Sequence, residues 1–260
     1  MNKQTDVEPV GSHLGLKKAA SAVLCHPLMG RLLGMVFGGR IPHRGARIEV
    51  PRGGDPRVNG ALFWGTYESA EIRFVRQFID GALDVVELGS SLGGVSSEIG
   101  RRLRSERRLV CVEANPDLID LLRRNLAANV PHLQPLVLHG AISHGARPEV
   151  DFAIGDSNLS SHLGTAGART QRVPALTLGS VVAHARLGDF ALVSDIEGAE
   201  ASLFEHEAAV LQRCRLLIIE LHAVRFGGVD HTPDTLIRLI EQRTGLRLRA
   251  RYGPVCTFTR

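Results

Sequence analysis

Lysine is almost missing from this chain. Lys3, Lys17 and Lys18 are the only three among 260 residues, so nearly all positive charge is arginine. Aromatics make up only 5%. Proteins that hold nucleic acid more often gather their cations into one stripe with aromatics interleaved. The formal charge is +4, but the arginines are spread along the chain, and that spread argues against a nucleic-acid partner. No run of 18 apolar residues occurs, which leaves no candidate membrane span. No apolar segment follows closely on MNKQTDVEPVGSHLG, so a secretory signal is not expected. Cys25, Cys111, Cys214 and Cys256 are scattered and form no Cys-x-x-Cys pair. That removes the usual structural zinc site, and the thiols read as reduced core residues of a cytoplasmic protein.

What remains is an ordinary globular composition, 44% hydrophobic and 22% charged. The length fits one α/β domain with an appendage. Residues 1–12 are polar and read as a tail. Residues 13–39 carry apolar residues at helical spacing, and Pro27 divides them into two short helices. Lys17, Lys18 and Arg31 lie among them. One reading is a basic amphipathic anchor for a membrane surface or a lipid-linked substrate. The other is a helical lid packed on the main domain, which the glycines and the proline favour. The expected division is a tail with helical extension over 1–45 and a main domain over 46–260.

ARIEVPRG (46–53) and ALFWG (61–65) read as short strands, and TYESAEIRFVRQFI (66–79) as a helix capped by Thr66. The chain then alternates. LDVVEL is a strand, GVSSEIGRRL a helix, RLVCVEA a strand, PDLIDLLRRNLAAN a helix and QPLVLHGAI a strand. That order belongs to a doubly wound parallel sheet, whose ligands bind at the edge where the strands end. Residues 143–173 are rich in Gly and Ser and read as an irregular lid or insertion around one strand, VDFAI. FALVSDIEG and RLLIIELH continue the sheet with one helix between them, and TPDTLIRLIEQRT is a further helix. LRLRARYGPVCTFTR reads as two strands on a tight turn, antiparallel to each other. The sum is a mixed seven-stranded sheet with helices on both faces.

The stretch VVELGSSLGG (85–94) ends its strand in an acid and a glycine-rich turn. A dinucleotide fold needs a second glycine where Ser91 stands. A P-loop needs a lysine where Val95 stands. Glu87 beside the turn repels phosphate and attracts positive charge. Glu113, ending the next strand, has the spacing of a ribose-binding carboxylate. A cationic nucleoside without phosphate satisfies both, and S-adenosylmethionine is such a ligand.

These segments, with Tyr67-Glu68, VLHGAIS, VPALTLGSVV, SDIEGAE and IIELH, resemble the FkbM family of S-adenosylmethionine-dependent methyltransferases. SDIEGAE carries the family's Asp-hydrophobic-Glu-Gly-x-Glu pattern. The resemblance runs from Tyr67 to His222 and excludes residues 1–60. It implies a class I methyltransferase (Rossmann-like) fold and O-methylation of a hydroxyl on a saccharide, glycolipid or secondary metabolite. It further implies that Gly89, Ser90 and Gly93 line the methionine half of the cofactor. Glu113 and Ala114 then hold the ribose, Ala141 and Ile142 flank the adenine, and Tyr67 and Glu68 close over it. Ser157 and Ser160 are weaker candidates.

A hydroxyl acceptor needs a base or metal to take its proton. Asp195, Glu197 and His222 are the catalytic candidates. Asp195, Glu197 and Glu200 are close enough in sequence to hold Mg²⁺ or Ca²⁺, although a metal is not expected. SDIEG contains no proline or aromatic, unlike the element of amino methyltransferases that act on bases. The competing readings are a methyltransferase acting on RNA or protein and a non-catalytic binding subunit.

Overall fold

The structure is a computed structural model, and it describes residues 26–154, 162–163 and 169–260. Lys17, Lys18, Cys25, Ser157 and Ser160 lie outside the described residues, as do the tail and the first expected helix. Three elements open the described chain: helix α1 (Pro27–Val36) and the hairpin β1 (Arg40–His43) and β2 (Ala46–Glu49). The hairpin crosses the 45/46 junction, with His43 paired to Ala46. Helix α2 (Pro56–Phe63) follows, started by Pro56 and capped by Asp55, whose carboxylate accepts the Arg57 N–H. This corrects the strand expected over ALFWG. Helix α3 (Ser69–Phe78) begins at Glu68, not Thr66, and no side chain caps it.

Next come β3 (Asp84–Leu88), α4 (Gly94–Arg102), β4 (Leu109–Glu113), α5 (Pro116–Asn129) and β5 (Leu136–His139). QPLVLHGAI is not one strand. Gly140 (φ 157°) breaks it, because a Cβ there would lie 2.8 Å from the Leu176 side chain and the Pro174 carbonyl. The remainder, β6 (Ala141–Ile142), joins a separate sheet. That sheet also holds β7 (Glu149–Ile154), β8 (His162–Leu163) and β9 (Arg169–Leu176), in the order β6-β9-β7-β8. Residues 143–173 therefore contain paired strands where irregular chain was expected.

The rest is α6 (Leu178–His184), β10 (Phe190–Ser194), α7 (Glu200–His206), α8 (Ala208–Leu211), β11 (Cys214–Glu220), β12 (Val224–Phe226), β13 (Val229–His231), α9 (Pro233–Thr244), β14 (Arg247–Tyr252) and β15 (Val255–Thr259). The single helix expected before β11 is broken at Glu207. Its carboxylate turns away to accept the N–H groups of Leu178 and Gly179 at the start of α6.

The main sheet has seven strands in the order β14-β15-β11-β10-β3-β4-β5. β15 runs antiparallel to both its neighbours, whereas β11, β10, β3, β4 and β5 are all parallel. Both faces are covered, so the period of two along each strand feeds two cores. Val86, Leu88, Val110 and Val112 pack with α6 to α9, while Val85, Leu109 and Cys111 pack with α3 to α5. Cys111, Cys214 and Cys256 are free and buried in these layers. The chain leaves β3 toward β4 and β5, then returns to β10 on the other side. The crevice between the ends of β3 and β10 is thus the topological switch point.

Phe258 on β15 is fully buried among α9 and the central strands. Phe258→Ala should lower unfolding free energy by about 3–5 kcal/mol in urea titrations. A loss below about 1 kcal/mol would show that this face is not tightly packed.

Candidate active site at the switch point

Five parallel strands end along one edge, and the loops after them surround a cleft of about 290 Å³. Gly89 opens the turn after β3 with φ 84°. A Cβ on it would sit 1.9 Å from the Asp195 carbonyl, so this position demands glycine. Ser91 follows in the left-handed region (φ 45°) and directs its N–H to Glu113 Oε2 at 2.7 Å. The Asn115 N–H donates to Glu113 Oε1 at the same distance. Each oxygen of this buried carboxylate is anchored by one backbone donor, which leaves further lone pairs to a ligand. The Tyr67 hydroxyl lies 3.0 Å from Ser91 Oγ and closes the other side.

Tyr67, Glu68, Gly89, Glu113, Ala114, Ala141, Ile142, Asp195 and Glu197 all line this cleft. Glu87, Ser90, Gly93 and His222 do not. The period of two explains Glu87. It shares the face of Val85, so its side chain points under α4, where it accepts a hydrogen bond from Ser96 Oγ. Burial pushes its carboxyl up to about 7, although Ser96 opposes the shift. Ser90 is buried beneath the turn, and Gly93 (φ 81°) starts α4 against Leu122. Ser91 is the turn serine that reaches the cleft.

Among the described residues six carboxylates line the cleft, those of Glu68, Glu71, Glu113, Asp195, Glu197 and Glu220, and no lysine or arginine does. Burial raises the carboxyl pKa of Glu68, Glu71, Glu113 and Asp195. Asp195 reaches about 7, pushed first by burial and then by Glu220. Glu71 and Glu220 share a proton. Burial holds it on Glu71, while the bond from His222 keeps Glu220 low. The His222 Nδ1 donates to Glu200 Oε1 at 2.6 Å, and its Nε2 stands 3.6 Å from Glu220 and 4.0 Å from Asp195. Glu200, then Glu220, raise the imidazole to about 11. It is therefore an imidazolium at neutral pH.

Glu200 is fully buried, bonded to His222 and to the Gly198 N–H at 2.9 Å, and does not line the cleft. The Asp195, Glu197 and Glu200 trio is thus not convergent. Asp195, Glu220 and His222 do offer ligand atoms within 4.8 Å of one another. As long as His222 is protonated, however, it is itself the cation of this group. A metal there would have to displace that proton.

The sequence profile of the methyltransferase FkbM domain matches residues 94–247, and the chain belongs to that family. No curated protein matches it. Among solved structures, an O-methyltransferase from Bacillus cereus in complex with SAH is 16% identical, with a TM-score of 0.45 over 74% of this chain and 81% of that one. A methyltransferase from Geobacter sulfurreducens is 16% identical, with a TM-score of 0.45 over 98% of both chains. Magnesium protoporphyrin IX methyltransferase from Synechocystis with bound SAH is 11% identical, with a TM-score of 0.45 over 78% of this chain and 87% of that one.

Glu71, Ser91, Asn115, Leu118, Phe152 and Glu220 also line the cleft and had no assigned role in the sequence. Glu220 ends a strand just as Glu113 does, so the same rule finds it. Glu71 carries no such signal, because only packing turns the first turn of α3 toward β11. A carboxyl whose folded pKa is raised adds stability below its unfolded pKa and loses it as pH climbs through the folded value. Glu71→Gln should therefore gain stability over the parent chain between about pH 5 and pH 9. Equal pH slopes in thermal melts would show that Glu71 ionises without cost.

Proposed function

We propose that this enzyme transfers a methyl group from S-adenosylmethionine to a hydroxyl of a saccharide, glycolipid or secondary metabolite. The observation that carries the reading is the acid-lined cleft with Asp195 at its centre, poised near neutrality beside a fixed imidazolium. S-adenosylmethionine carries positive charge on sulfur and on its amino group, which offsets the repulsion among six carboxylates. Glu113 would accept bonds from the ribose hydroxyls. Leu118, Ala141, Ile142 and Phe152 supply an apolar slot for the base, and Gly89 and Ser91 border the methionine half. Glu68 and Tyr67 close the same side.

The cofactor supplies a methyl carbon already activated by a sulfonium leaving group. When bound, it would present that carbon to the acceptor oxygen and keep the carbon–sulfur electron pair on the departing thioether. This chain's residues orient the acceptor and take its proton. The hydroxyl proton passes to Asp195. His222, locked by Glu200, keeps enough positive charge nearby for Asp195 to ionise near neutral pH. Glu197 lines the same cleft. No step is routed through a metal. The arginines also support a small acceptor over RNA. Arg76, Arg101 and Arg102 pair with Glu98, and Arg215 pairs with Asp189, all outside the cleft lining.

A base acts when deprotonated, so kcat/KM should rise through about pH 7 and fall on the acid side. Asp195→Asn should lower kcat by about 10²–10⁴ with cofactor affinity within a few-fold of the parent. An unchanged kcat with intact binding would overturn the base assignment. Glu113→Ala should weaken S-adenosylhomocysteine binding about 10- to 100-fold in calorimetric titration. Unchanged affinity would remove Glu113 from the ribose site.

A further inference from the structure

Helix α1 is apolar almost all round, and among the described residues only one side of it is packed. Gly30 and Leu33 are buried, with Gly34 and Phe37 half-buried beside them. This arc meets α2 at very short range. A Cβ on Gly30 would lie 1.8 Å from the Pro56 carbonyl, and one on Gly34 would lie 2.9 Å from Asn59 Nδ2. Asn59 Nδ2 also donates to the Gly30 carbonyl at 2.9 Å. The helix is thereby held in one rotation about its axis. Leu33 and Phe37 join the core that holds Tyr67 and Leu92 of the cofactor side.

That rotation leaves Leu28, Met29, Leu32, Met35 and Val36 outside, from 40% exposed at Met29 to 75% at Met35. At 100° per residue these five positions fall within one arc of about 120°, free of any polar residue. Phe37, Phe63 and Trp64 form a chain of ring contacts leading away from the end of α1, at 5.5 and 5.0 Å. Trp64 is the only tryptophan of the chain and is 44% exposed.

Cations border this arc. Arg31 stands next to Met35 on the helical wheel. With Arg52 it lines a second cavity of about 590 Å³, floored by Gly38, Gly39, Gly53 and Gly54. Neither arginine has a partner among the described residues. The acid on that cavity, Asp55, is held by Arg57 at 2.7 Å and caps α2. The first sixty residues contain nine lysines and arginines against four acids, a net +5 in a chain whose whole charge is +4. The remaining two hundred residues are thus near neutral, and the excess positive charge belongs to the end that carries the bare apolar arc.

We propose that the outer arc of α1, with Trp64 and the Arg31–Arg52 cavity beside it, docks the enzyme on an anionic lipid surface. An apolar arc that enters the acyl boundary, an aromatic at the headgroup level and cations for the phosphates are the three parts of an interfacial helix. Charge complementarity selects the lipid over a second copy of the chain. A two-fold contact through this arc would bring the unpaired arginines of both copies together. The inference does not depend on the hydroxyl acceptor proposed above.

The test is cosedimentation of the full chain with vesicles of phosphatidylcholine alone or mixed equally with phosphatidylglycerol. The parent should bind the anionic vesicles at least tenfold more tightly, and the difference should shrink in high salt. Leu32→Asp combined with Met35→Asp should lose at least tenfold of that binding. Its melting temperature and S-adenosylhomocysteine affinity should stay at the parent values, because both side chains are exposed and far in the chain from the cleft residues. Arg31→Glu with Arg52→Glu should remove the preference for anionic lipid. Failure to bind either vesicle, or equal binding by parent and Asp variants, overturns the proposal. So does a concentration-dependent dimer in sedimentation velocity that the Asp variants abolish while vesicles leave the parent free.

Discussion

The backbone crossing between Gly89 and Asp195 is the contact on which the site is built. No side chain fits there, so the turn after β3 and the loop after β10 touch main chain to main chain. The Asp195 N–H donates to the Leu88 carbonyl at 2.9 Å and extends the β3–β10 ladder to the last possible residue. This contact puts the Asp195 side chain at the mouth of the switch point. It also sets Ser91 in its left-handed turn, where its N–H finds Glu113 and its hydroxyl finds Tyr67. Three strand ends and the loop before α3 are thus tied together by one position without a Cβ.

Electrostatics then dominates the cleft. Carboxylates from α3, β4, β11 and the loop after β10 meet in a space with no basic side chain among the described residues of its lining. Their mutual repulsion and burial are relieved within the protein in three ways. Glu113 is bonded to backbone N–H groups, Glu71 keeps a proton, and His222 stays an imidazolium between Glu200, Glu220 and Asp195. The remaining negative charge is what the proposed cationic cofactor would offset. The same arrangement pushes the Asp195 carboxyl up to about 7.

Much of the frame was legible along the chain. Pro116 and Asn115 mark the start of α5, and the helix runs over the very residues its apolar spacing indicates. Glu113, Asp195 and His222 were found because each stands at or just beyond a strand end, and parallel strands bring their ends to one edge. Glu87 has the same local signal but a different fate. Its position in the period of two turns it under α4, a matter of face that the motif does not contain. ALFWG failed as a strand because Asp55 and Pro56 start a helix upstream, and that start outweighs a short apolar run. The break at Gly140 depends on Leu176 and Pro174, more than thirty residues away.

The sequence by itself determined the alternation of strands and helices, the glycine turn, the acid that ends β4 and the family. Those rest on local patterns of hydrophobicity, capping and spacing. Only the tertiary structure decided which acids share the cleft, which proton each keeps, and which arc of α1 faces outward. Those depend on burial and on distances between residues remote in the chain. The packing of Gly30 against Pro56 sets the orientation of α1, and no periodicity within the helix distinguishes its two apolar sides.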